Sequence, residues 1–150
     1  MNGKITAAVM LGLGVFGASY SILRAQEPAT TSSVWDGVYT SEQAGRGAAL
    51  YAQQCASCHG TALTGGESAP PLTGGEFFSN WNGLTVGDLF DRIRISMPAD
   101  RPGKLTREQD ADILAFILSV SQFPPGKAEL EHQTEVLKQI RLDSSKPEPR

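Results

Sequence analysis

Cysteine is almost absent from this chain: 150 residues hold two, and both fall within Cys55-Ala56-Ser57-Cys58-His59. Histidine is equally scarce, with His132 the only one besides His59. A four-ligand zinc site therefore finds too few donors. No strand-rich run surrounds the cysteine pair, which sets aside the thioredoxin-like dithiol, a motif that belongs beside a βαβ pattern. Charge is sparse as well: 19% of residues are charged, the formal net charge is -3, and no basic run occurs. That balance excludes nucleic acid as a partner. Methionine occurs three times, and Met1 and Met10 lie in the first two dozen residues, which leaves Met97 alone in the body of the chain.

What is present is loop-rich, with 16 glycines and 9 prolines, and the length suits one domain with extensions. A domain this small gains from wrapping a large apolar cofactor, whose own surface adds to the buried area. The pentapeptide names that cofactor. Cys-x-x-Cys-His is the pattern at which haem is attached covalently. Two thiols three positions apart reach the two vinyl groups of one porphyrin. The histidine that follows is then held at the iron as an axial ligand.

Residues 1–25 read as a signal peptide. Lys4 supplies the positive start, Ile5 to Ile22 is uncharged, and small-residue cleavage sites follow up to Ala25. A run of that length also reaches across a bilayer, so an uncleaved anchor through residues 5–23 is the alternative. Residues 26–40 form an N-terminal arm: a polar linker, then Trp35 and Tyr39 to pin it onto the domain.

Helical signals follow. Thr40-Ser41 with Glu42 starts a helix whose stripe includes Ala44, Gly47, Ala48 and Tyr51, with close approach by another helix as the reason for the glycine. Residues 60–82 hold five glycines and the pair Pro70-Pro71 and read as loop. Thr85 caps the next helix, with Val86, Leu89, Phe90 and Ile93 as its apolar stripe and Asp88–Arg92 as an outward pair. Pro98 ends it, because the residue before a proline is pushed out of helical geometry. Thr106-x-x-Gln109 is a capping box ahead of Ile113, Phe116, Ile117 and Val120. A further helix is expected from Glu131 to Arg141, acidic at its start and basic at its end, and the last eight residues are expected to be disordered.

An electron-carrying iron needs two firm axial ligands, so that little reorganises when the electron moves. His59 is the first candidate. Met97, at a helix end before Pro98, is the second, since a thioether favours ferrous iron and raises the potential. His132 is its rival, but it falls in a polar segment at the far end. Trp81, Arg92, Arg94 and Arg101 are candidates to hydrogen-bond or balance the haem propionates, which need donors if buried.

The order Gly47-x-x-Leu50-Tyr51, Cys55-x-x-Cys58-His59-Gly60, Pro70-x-Leu72, Met97-Pro98 and an aromatic-bearing final core helix resembles class I cytochrome c over residues 41–120. The resemblance implies an all-α fold, with three core helices around one covalent haem c and its iron. Residues 121–150 form an extension carrying an extra helix. It also implies that the first and last core helices cross near Gly47 and Phe116. On the same ground the Pro70 carbonyl accepts the Nδ1–H of His59, and Leu72 packs on the porphyrin. The stretches VWDGVYT, NWNGLTVGDLF and SMPADRPGKLT further resemble single-haem cytochromes associated with bacterial quinoprotein alcohol or sugar dehydrogenases.

The expectation is thus a periplasmic one-electron carrier of a respiratory chain, without catalysis of its own. It would run from a dehydrogenase donor to a terminal oxidase or another cytochrome. A fixed subunit of a dehydrogenase complex is the first alternative. An open-site haem peroxidase or sensor is the second, and it requires a free iron position that Met97 would close.

Overall fold

A computed structural model describes residues 32–148. The signal or anchor segment and most of the linker lie outside the described residues. The elements are β1 (Ser32–Ser33), a single 3-10 turn (Val34–Asp36), α1 (Ser41–Gln54), α2 (Ala56–His59), α3 (Gly74–Trp81), α4 (Val86–Ser96), α5 (Arg107–Val120), α6 (Thr134–Leu137) and β2 (Ile140–Arg141). The fold is helix-rich, as the all-α reading requires.

The long helices start where their caps place them. The Thr40 hydroxyl accepts from the Gln43 N–H, and Thr85 with Asp88 and Thr106 with Gln109 form complete capping boxes. Asp88 is thereby committed to Thr85, whose N–H and hydroxyl both donate to its carboxylate. The expected Asp88–Arg92 pair does not form; on α4 it is Arg94 that pairs, with Asp91, at 3.1 Å.

α1 and α5 cross at Gly47. A Cβ there would sit 1.8 Å from the Asp112 carbonyl oxygen and 3.0 Å from Phe116 Cβ, so only glycine allows this approach. Tyr51 and Phe116 meet beside the crossing with ring centroids 5.3 Å apart. Arg46 clamps its rim, bonding both Asp112 oxygens and Glu129. Beneath lie Ile113, Leu114, Ile117 and Leu118 of α5 and Val86, Leu89 and Phe90 of α4, all buried.

Three local expectations fail. Residues 60–82 are not all loop, because past Pro71 the aromatic residues Phe77, Phe78 and Trp81 stand at helical spacing and form the inner side of α3. The helix expected from Glu131 to Arg141 shrinks to the single turn α6. Leu130, Leu137, Ile140 and Leu142 are all buried, Leu137 at the end of α6 and the other three on chain that is not helical. β2 pairs in parallel with β1, Gly83 N–H donates to Leu142 O, and Leu142 N–H donates to Leu84 O. The Gln43 side chain holds the Leu130 backbone from both sides, donating to its carbonyl and accepting from its N–H. The tail is ordered at its start, where Asp143 O accepts from the Trp35 indole and Ser144 N–H donates to Asn82. Trp35 and Tyr39, whose hydroxyl donates to Phe123 O, do pin the arm.

Candidate functional site

The site begins where α1 breaks. Cys55 has φ -126° and ψ -34°, and its N–H still closes the last turn of α1 onto Tyr51 O. The chain restarts as α2, one turn in which the Cys58 and His59 N–H groups both return to Cys55 O. Cys58 and His59 therefore lie one turn beyond Cys55. Both thiols are free; Cys55 is half-buried and Cys58 exposed. Burial, with the charges of Asp110 and Cys58 adding, pushes the Cys55 thiol up to about 11. A redox dithiol needs the opposite, a thiolate available near neutral pH. Among the described residues no cluster of three or more His, Cys, Asp or Glu gathers to hold a metal ion.

His59 is buried, and its Nδ1 lies 2.8 Å from the Pro70 carbonyl oxygen. A carbonyl only accepts, so the proton is on Nδ1 and the lone pair on Nε2. Several contacts fix that carbonyl. Gly65 N–H donates to His59 O and Leu72 N–H to Leu63 O, folding residues 60–72 back on themselves around Leu63, which is 1% exposed. Gly65 has φ +75°, and a Cβ on it would stand 2.6 Å from Pro71 N. The Tyr51 hydroxyl, kept protonated by burial that pushes it up to about 12, donates to Gly60 O at 2.6 Å. Motif reading passed over Leu63 and Gly65. Tyr51, already named on the stripe of this helix, stands four residues before Cys55.

Met97 follows α4 with φ -124° and ψ 150°, outside helical geometry, and its N–H donates to Ile93 O. It is half-buried, as are Cys55, Ala56, Leu72 and Trp81, and all five pack against the core. Of the propionate candidates, Arg94 is tied to Asp91, Arg101 is exposed and tied to Asp100, and Arg92 is exposed. Trp81 packs on Phe77, centroids 6.3 Å apart. His132 lies away from this group, its Nε2 3.6 Å from Glu108 near the start of α5.

These residues fit a covalent haem. Two unbridged thiols sit one turn apart, an imidazole keeps a lone pair on Nε2, a thioether stands outside its helix, and apolar side chains around them are only partly covered. The other ionisable group nearby is Asp110, in the first turn of α5, 1% exposed, with no hydrogen bond to either carboxylate oxygen among the described residues. Sequence reading did not single it out.

Residues 42–117 match the family model described as cytochrome c oxidase, cbb3-type, subunit III. The fold is also similar to a chain in the crystal structure of the sulfane dehydrogenase SoxCD from Paracoccus pantotrophus, with TM-score 0.51 and 25% identity. That match covers 81% of this chain and 68% of the other. It takes in more of the chain than residues 42–117, so the likeness runs into the flanking arms. No curated protein matches the chain.

Proposed function

From the premise that the chain belongs to the family described as cytochrome c oxidase, cbb3-type, subunit III, and is an electron carrier with covalently bound haem c and redox-protein partners, we propose its place between partners and the residues that serve it. It accepts single electrons from an extracytoplasmic dehydrogenase and passes them toward a terminal oxidase or another cytochrome. Bound haem supplies one-electron ferric/ferrous chemistry at its iron. Cys55 and Cys58 would hold the porphyrin through thioethers, and His59 and Met97 would ligate the iron through Nε2 and sulfur.

Every other part belongs to the chain itself. Pro70 keeps the His59 proton on Nδ1, orients the ring and raises its basicity. Leu72, Trp81 and Ala56 exclude water from the porphyrin. Met97 would supply the second ligand, which would leave no position on the iron for a substrate. The observation that supports this reading is the 2.8 Å contact between His59 Nδ1 and Pro70 O, which leaves the Nε2 lone pair available to a metal. A dehydrogenase as donor is supported by the likeness to a chain of the sulfane dehydrogenase SoxCD, and by the stretches that resemble dehydrogenase-associated cytochromes.

The carrier would work in the periplasm, delivered there by residues 1–25 as a signal peptide. A second reading, a fixed cytochrome subunit of a dehydrogenase complex, draws on the uncharged run from Ile5 to Ile22 as a retained anchor. Among the described residues no helix is long and apolar enough to cross a membrane. Expression in a host with c-type maturation tests the site: haem colour should survive denaturation and acid–organic extraction, and haem that washes out overturns it. Affinity capture from separated membrane and periplasmic fractions then decides between shuttle and subunit. Release of the chain into the periplasm, with reversible capture of a dehydrogenase, favours the shuttle.

A further inference from the structure

Asp110 is buried where an ionised carboxylate is strongly penalised, and the electron-carrier chemistry above gives it no task. Three elements bring charge or polarity to it. From the end of α1 comes Cys55, whose thiol feels the Asp110 charge. From α4 comes Arg94, already tied to Asp91. From its own helix comes Arg107, whose guanidinium donates to His132 O. The two arginines favour the ionised carboxylate, yet burial outweighs them and pushes the carboxyl up to about 6. The acid is therefore close to balance near neutral pH. Both its carboxylate oxygens are buried without a hydrogen-bond partner among the described residues, and their charge acts on Cys55, through which the porphyrin would be held.

We propose that Asp110 is a redox-linked proton site, which takes a proton from solvent when the haem held at Cys55 is reduced and returns it on oxidation. The inference rests on the electron-carrier reading above. One electron arrives from the redox partner, one O–H bond forms on the Asp110 carboxylate, and the net charge inside the protein is unchanged. The direction follows from electrostatics. A negative carboxylate stabilises ferric over ferrous iron, so the reduction potential is higher with Asp110 protonated and falls as the acid ionises. Unit charges roughly ten ångström apart in a protein interior shift an equilibrium about tenfold.

The test is the potential of the intact haem protein from pH 4.5 to 8. The reduction equilibrium constant should fall about tenfold across the range, ~59 mV for one electron. Asp110→Asn should hold the upper value throughout. The haem propionates also titrate, so a slope that persists in Asp110→Asn overturns the proposal, as does a flat wild-type profile. A measurement needing no variant is the carbon-13 carboxyl titration of Asp110 in wild-type protein. Its midpoint should lie higher in the reduced than in the oxidised state, and equal midpoints overturn the proposal. A chain that shows no redox wave because it binds no haem overturns the electron-carrier reading and this inference together, whereas a normal wave with no pH dependence overturns the inference alone.

Discussion

The segments that carry His59 and Met97 are built on different principles. Residues 60–72 fold around the buried Leu63, return main-chain bonds to His59 and Leu63, and receive the Tyr51 hydroxyl at Gly60. Past Met97 and the buried Pro98, residues 99–104 are all exposed, and their main-chain hydrogen bonds outside helices are two turns, Arg101 N–H to Pro98 O and Lys104 N–H to Arg101 O. The histidine is thus preorganised by protein contacts alone. The methionine is anchored at its helix end, and on the proposed ligation only a bond to iron would hold the rest of it. A carrier of this design holds one ligand rigidly and lets the other report on stress, so the sulfur should leave iron first on heating or in denaturant.

That contrast breaks most directly at Gly65. Gly65→Val places a branched side chain against the Pro70–Pro71 backbone at positive φ, and should cost about 3 kcal/mol in denaturant unfolding of the haem protein. An equal substitution at Gly103, also at positive φ but with no atom nearer than 4.0 Å to a Cβ, should cost clearly less. Comparable losses at the two sites would erase the distinction.

A control away from both segments is Asp110, whose effect depends on pH. Its folded-state carboxyl is raised to about 6 from an ordinary 3.8, so the folded protein prefers the protonated form. The penalty is absent below the unfolded value and complete above the folded one, so stability falls as pH rises between them. Asp110→Asn should therefore stabilise the protein by about 2 kcal/mol at pH 7 and by almost nothing below pH 4. Matched urea melts at the two pH values check this, and a gain that is the same at both would show that titration is not its source.

Met97→Ala should cost about 1–2 kcal/mol, since the side chain is only half-buried. It should lower the potential and allow carbon monoxide to bind reduced protein that otherwise resists it. Met97→His should keep six ligands and still lower the potential. Avid carbon monoxide binding by the unaltered protein would remove Met97 from the iron. The smallest change is Tyr51→Phe, which loses one hydrogen bond to Gly60 O and should cost about 1 kcal/mol. Nitrogen-15 NMR should show the His59 proton still on Nδ1, because Pro70 and not Tyr51 holds it.

Some of this design is local and was legible before folding. The Cys55-to-His59 motif is read from five neighbouring residues because thioether chemistry needs only their spacing. The caps at Thr40, Thr85 and Thr106 are read three residues at a time, because a side chain and an N–H one turn on are all a cap requires. The glycine at the α1–α5 crossing was visible as an anomaly on an apolar stripe. Other features join residues that nothing local links. The Glu131–Arg141 segment has helical charge placement, yet β1 and β2 satisfy its backbone across more than a hundred residues of sequence. Tertiary pairing of buried backbone groups outweighs a helix propensity worth only tenths of a kcal/mol per residue. Asp110 looks like any acid in a first helical turn until α1 and α4 close over it. Residue types and their spacing determined which cofactor this chain takes and which residues are proposed to hold it. Only the tertiary structure decided which histidine nitrogen bonds a carbonyl and which carboxylate is shut away from water, because both depend on groups that meet in space alone.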